Sequence, residues 1–219
     1  MNLWVFFQKG GPIMWPLLIT SIIATSVVIE RIIFVFREKK RRSAFIVDRI
    51  LSAVEEGDLG KAIDAGRNSH DFVARTLIYG LAHRQSSFSN ALLRAANLEL
   101  KRYNQGIVIL DTIITLAPLL GLLGTVTGMI HAFSLLGANE LGAPAAITGG
   151  IAEALIATGF GLAVAIVSLI PFNYLNSIAE EARHEIEDAS SHLELLLTSN
   201  DFTSAQGTTG TNDFGDRHS

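Results

Sequence analysis

The sequence predicts an all-α membrane protein: three transmembrane helices with long helical extensions outside the bilayer. Two features carry that expectation. Three apolar blocks are each long enough to cross a hydrocarbon core of about 30 Å, which takes about 20 residues. The polar stretches around them place apolar residues at the three- and four-residue steps of amphipathic helices. Composition agrees, with 49% hydrophobic and 17% charged residues and a mean hydropathy of +0.37, since a soluble chain of this length carries more charge. The net charge of -4 supplies no basic face, so nucleic acid is not an expected partner. Cysteine is absent, which excludes disulfides, thiolate metal sites and cysteine nucleophiles.

Residues 1–12, "MNLWVFFQKGGP", read as an interfacial segment stopped by Gly10, Gly11 and Pro12. The first span covers 13–36, with no charge between Lys9 and Glu30, and ends in "REKKRR". Because the basic cluster follows the apolar run and no small-residue cleavage site comes after it, the segment is read as a retained span and not a signal peptide. Residues 37–105 form a helical region in which Ser43 is an expected N-cap and Gly57 with Asp58 ends one helix and starts the next. No Gly or Pro interrupts the chain from Ser89 to Gly106, so a helix there is expected to run straight into the second span, 106–137. A short loop, 138–144, leads to the third span, 145–176. The helical pattern then persists over 177–200 through Ile178, Ala182, Ile186, Ala189, Leu193 and Leu197, a seam suited to association with copies of the chain. The tail, 201–219, is rich in Ser, Thr, Gly and Asn and reads as disordered.

Orientation follows from lysine and arginine. Thirteen of the 17 lie between Arg37 and Arg102, and none lies in the loop between the second and third spans. The positive-inside rule then places the N-terminus and that loop outside, and residues 37–105 and the C-terminus in the cytoplasm.

The second span carries glycines that a simple anchor does not need. Ala117, Gly121, Gly124, Gly128 and Ala132 recur at three- and four-residue steps, and the third span repeats the device with Gly150, Ala154, Ala157, Gly161 and Ala165. Such stripes let two helices approach closely, within a chain or between copies. Thr125 and Thr158 each fall about 16–20 Å from the outer boundary at 1.5 Å per residue, which puts two hydroxyls at one depth near the midplane. Each alone can satisfy itself on its own helix; a pair repeated around an oligomer would hold water or receive an ionisable group. Glu153 and His131 share a shallower level, about six residues inside the outer boundary. Ionisable groups there are costly, so they serve either a structural pair or proton handling. Asp111 lies near the inner end of the second span. No hydrolytic triad, metal cluster or cofactor motif appears, and "GLLGTVTG" lacks the Lys-Ser/Thr ending of a phosphate loop, so no enzyme activity is expected.

"APLLGLLGTVTGMIHAF", Ala117 to Phe133, and "GGIAEALIATGFGLAVAI", Gly149 to Ile166, together resemble the paired signature of the proton-channel family that includes ExbB, TolQ and, more distantly, the flagellar stator protein MotA. The resemblance covers the second and third spans; beyond them it extends only to length and helical character. It implies a pentameric ring around a central pore lined by those spans, enclosing two copies of an ExbD-like or TolR-like single-span partner whose membrane aspartate takes the proton. It places Thr125 and Thr158 beside that pathway and gives Glu153 a part in assembly or function. It also implies residence in the bacterial inner membrane and transmission of motion to a TonB-like or TolA-like protein. The competing expectation is a non-conducting helical scaffold. A solute permease would show broken helices and internal repeats, which are not seen.

Overall fold

The computed structural model describes residues 7–136 and 143–209, and all of its regular structure among them is α-helical. The expected loop at 138–144 lies almost wholly outside the described residues, as do 1–6 and 210–219. The helices are α1 (Met14–Arg41), α2 (Ala44–Glu55), α3 (Leu59–Gly66), α4 (Phe72–Ala82), α5 (Arg84–Asn104), α6 (Ile107–Leu136) and α7 (Ala143–Thr209). Three of them, α1, α6 and α7, are long and apolar enough to cross a membrane. Contacts divide the chain into two compact units, one of Met1–Phe34 with Asn104–Ser177 and one of Val35–Tyr103 with Ile178–Ser219.

The first unit is held by backbone proximity. On α6 the buried positions are Ile107, Leu110, Ile113, Ala117, Gly121, Gly124, Gly128 and Ala132, and on α7 they include Gly150, Ala154, Ala157, Gly161 and Ala165. The two stripes face each other in antiparallel register. Gly161 meets Ala117 and Gly121; Gly121 and Gly124 meet Ala157; Gly128 meets Gly150 and Ala154; Gly150 meets Ala132. With lipid outside, no hydrophobic gain drives such pairing, so close van der Waals contact between small residues must supply it. The opposite faces carry Leu119, Leu122, Val126, Leu155, Ile166 and Val167, all exposed, as is expected of surfaces that meet lipid or another helix.

The helix expected to run from Ser89 into the second span is broken. It ends at Asn104, and α6 starts at Ile107 after Gly106 adopts φ +82°. A Cβ on Gly106 would lie 3.1 Å from Arg31 Cδ and 3.1 Å from Val27 Cγ1. The positive φ and the pressed-in neighbours both call for glycine, so the residue expected only to mark a boundary makes a turn. At its other end α5 is interrupted by Ser87, whose φ of -174° and ψ of 93° are extended.

In the second unit, α2, α3 and α4 pack through Ile50, Val54, Ala62 and Leu77, all buried. Gly57 turns the chain at φ +79° between α2 and α3, and Asp58 caps α3 by accepting from the Lys61 amide at 2.9 Å. Ser43 precedes α2 as expected, yet its hydroxyl caps nothing. Its backbone amide donates instead to Asp71 Oδ2 at 2.6 Å. The α7 seam is also used differently from its expected role. Ala182, Ile186, Ala189 and Leu193 are buried inside a single chain, Ala179 joins them, and Ile178 and Leu197 are half-buried. Those apolar edges are packed within the chain. The helix continues to Thr209, past Asp201 where the polar tail begins.

Candidate functional site

The α6–α7 contact places both threonines at one level. Thr158 on α7 donates its hydroxyl across the interface to the Gly121 carbonyl of α6 at 2.9 Å. Thr125 donates to the Leu122 carbonyl of its own helix at 2.6 Å, and its amide is four residues on from Gly121, the regular α-helical partner of that same carbonyl. The two hydroxyls thus bond neighbouring carbonyls of α6, those of Gly121 and Leu122. A Cβ on Gly121 would lie 3.0 Å from the Thr158 Cα, so only glycine lets the hydroxyl come this near. Both hydroxyl protons are spent on carbonyls. What each oxygen has left is lone pairs, which accept and do not donate. Both residues are half-buried.

Glu153 and His131 are not brought together. His131 is exposed, and its carbonyl accepts from the Ser134 hydroxyl at 2.8 Å. Glu153 is half-buried, with its carboxylate packed against Gly11 in the turn before α1. The depth estimate set the level of each residue but not its direction around the helix, and the two side chains leave their helices toward different neighbours. Asp111 is exposed on α6, and its carbonyl accepts from the Thr115 hydroxyl at 3.2 Å. Gly121, Gly124, Gly128, Gly150 and Gly161 all lie on the α6–α7 contact, whereas Gly149 and Gly159 face open space. Among the described residues no cluster of His, Asp and Glu is arranged to hold a metal ion.

A second polar constellation, in the other unit, is one that sequence reasoning missed. "REKKRR" reads as a uniformly solvated basic cluster, but residues 38 and 42 are four apart on one face of the chain and both turn inward. Glu38 is 4% exposed and faces Arg102 at 3.7 Å. Arg42 donates to Asp71 at 2.6 Å and to Glu185 at 2.7 Å. Arg102 also donates to Glu99 at 2.7 Å, and Arg75 pairs with Glu99 as well. Arg37, Lys39, Lys40 and Arg41 stay exposed. Despite desolvation, which works the other way, the Asp71 and Glu185 bonds hold the Arg42 guanidinium above its ordinary range. Burial, then the nearby Glu38 charge, pushes the Tyr103 phenol up. A four-residue spacing of opposite charges inside a basic run was the available signal.

Asp71 is the hub of this network. Its side chain is fully buried, and it accepts from the amides of Val73 and Ala74 at 2.9 and 3.0 Å, from the Ser43 amide and from Arg42. Asp71→Ala leaves the Val73, Ala74 and Ser43 amides without this acceptor, while Arg42 keeps Glu185. An unmet buried donor costs about 1–3 kcal/mol, and the variant is expected to lower the stability of this unit by at least about that amount. Hydrogen exchange across α4 and α2 is the check, and unchanged protection there would refute it.

The sequence profile of the MotA/TolQ/ExbB proton channel family matches residues 68–188. The chain is 39% identical over 197 residues to a Synechocystis protein named as ExbB-like in biopolymer transport, an alignment covering 87% of this chain and 77% of that one. A second ExbB-like protein of that organism is 33% identical over 86% of this chain and 92% of its own. The biopolymer transport protein ExbB of Neisseria meningitidis is 28% identical over 90% of this chain and 97% of its own. The matched stretch takes in the whole of α6 with its glycine stripe, the two threonines and, of the charge network, Asp71, Arg75, Glu99, Arg102 and Glu185, and the chain belongs to the MotA/TolQ/ExbB proton channel family.

Proposed function

We propose that the chain is the channel subunit of an inner-membrane motor that converts the proton motive force into movement of a partner. Five copies form a ring, with α6 and α7 lining a central pore, the N-terminus periplasmic and the second unit in the cytoplasm. An ExbD-like or TolR-like single-span protein sits inside, and its movement drives a TonB-like or TolA-like protein in outer-membrane transport or envelope maintenance. The observation that carries this reading is the state of the two threonines. With both hydroxyl protons donated to backbone carbonyls, Thr125 and Thr158 offer acceptor oxygens at membrane depth, which suit a partner carboxyl that carries its proton. A carboxylate confined among helices is expensive when charged, so acceptors that meet it only in some orientations couple its protonation to its position. The small-residue α6–α7 contact keeps those oxygens in place while the partner moves.

The same Thr158 bond also favours a second reading, a non-conducting scaffold in which the hydroxyl only fixes helix packing. Native mass spectrometry of the chain co-expressed with a single-span protein bearing a membrane aspartate tests the architecture. A ring of five retaining two partner copies is the expected species. A stable assembly that never retains such a partner would leave the scaffold as the better account.

A further inference from the structure

The turn that precedes α1 is built around the Glu153 side chain. Gly11 has φ +71°, a conformation that side-chain-bearing residues enter at a cost. It also has no room for a side chain: a Cβ there would overlap Glu153 Oε1 outright, and would lie 2.7 Å from Cδ and 3.1 Å from Cγ. Next to it, a Cβ on Gly10 would come within 3.1 Å of Ile156 Cγ2, one turn further along α7. Ile13, two residues after Gly11, lies 3.5 Å from the Cβ position of Gly124 on α6. The turn therefore rests on both helices of the α6–α7 pair. It is tied to α1 as well, since the Met14 amide donates to the Gly11 carbonyl at 3.2 Å and the Leu17 amide to the Ile13 carbonyl at 3.2 Å.

We propose that this turn is a cover over the Glu153 carboxylate and that Gly11 is the positioning residue that fixes where the carboxylate points. Gly57 shows what backbone conformation alone requires: its φ is +79°, and nothing lies within 4 Å of its Cβ position. Gly124 shows what crowding alone requires, with Ala157 pressed against it in a helix of ordinary φ. Gly11 combines the two demands, and the atoms crowding it belong to the one carboxylate of α7 that lies within the apolar run. Movement of Glu153 into water requires the turn to lift, and α1 begins at that turn. Entry of a proton or of water at this end of the α6–α7 pair is thereby linked to the seating of α1. The inference rests on the proposed function, to which it adds the Glu153 carboxylate, but its test reads that carboxylate directly.

The test is the rate at which dicyclohexylcarbodiimide, a membrane-soluble carboxyl reagent, modifies Glu153 in membranes holding the full chain, read by mass spectrometry of the peptide. Gly11→Ala is expected to raise that rate about tenfold, since labelling of a covered group tracks the fraction of time it is open. Gly57→Ala, with a similar φ but no neighbour, is expected to leave it unchanged. Equal labelling of Glu153 in the wild type and Gly11→Ala would overturn the proposal. Should Gly11→Ala not accumulate, the double variant Gly11→Ala, Glu153→Asp is made, in which the acid is one methylene shorter. Recovery of the protein supports the cover, and failure to recover while Gly57→Ala accumulates overturns it. Ion flux with the partner is measured separately: a Glu153→Gln variant that keeps coupled activity would remove the motor role of Glu153 and leave the cover standing.

Discussion

Thr158→Val is expected to reduce coupled ion flux to the level of membranes without the partner protein, while the ring still assembles. Valine matches threonine in shape, so the α6–α7 contact keeps its volume and loses one hydroxyl. The lost bond, to the Gly121 carbonyl at 2.9 Å, joins two helices in a setting where such bonds average about 0.6 kcal/mol. The carbonyl keeps its helical partner, the Thr125 amide. Stability should therefore barely move. What disappears is the acceptor oxygen that the proposed function offers to a partner carboxyl. Thr158→Ser retains the oxygen and is expected to retain most of the flux. The scaffold reading makes the opposite forecast, with Thr158→Val active or slightly more stable. Flux in reconstituted vesicles, read beside native mass spectrometry of the same preparation, separates the two. An intact ring with undiminished flux in Thr158→Val would end the proposed role of the hydroxyl.

Much of this site was legible because membrane helices expose their logic in residue spacing. Glycines and alanines at three- and four-residue steps state which face is buried, and every member of the two stripes is buried where the spacing placed it. Depth was legible to within a turn, since rise per residue is fixed: the hydroxyls of Thr125 and Thr158 bond the neighbouring carbonyls of Leu122 and Gly121. Azimuth was not. Whether Glu153 points at His131 or at Gly11 depends on the turn before α1, which touches α7 only in three dimensions. The break at Gly106 was hidden for a related reason. A glycine inside an apolar run is compatible with continuous helix, and only the seating of Arg31 and Val27 against it accounts for the turn. The inward charges Glu38 and Arg42 were masked by their four cationic neighbours, because charge composition reports a cluster while helical phase decides which members are solvated.

Gly161→Leu is expected to leave no detergent-stable protein, whereas Gly159→Leu, two residues away, is expected to fold. The contrast follows from what surrounds each position. A Cβ on Gly161 would lie 2.5 Å from the Ala117 carbonyl oxygen, 3.0 Å from Gly121 Cα and 3.1 Å from Gly121 N, and all three are backbone atoms of α6 that cannot rotate aside. A single added methylene in a tight core costs about 1–3 kcal/mol, and a leucine adds several atoms beyond the first. The helices would have to part along the stripe, taking with them the Thr158 bond to Gly121. Among the described residues nothing lies within 4 Å of the Gly159 Cβ position, so a leucine there points away from α6 and leaves the α6–α7 contact undisturbed. Thermal unfolding in detergent with size-exclusion chromatography measures both variants, and a Gly161→Leu protein as stable as the wild type would show that the stripe does not hold α6 to α7. The Gly159 variant carries further information when its flux is measured. It adjoins Thr158 on a face that the single chain leaves open. Retained folding with lost flux would place the pore or a neighbouring copy against that face, and retained folding with full flux would direct both to the other side of α7.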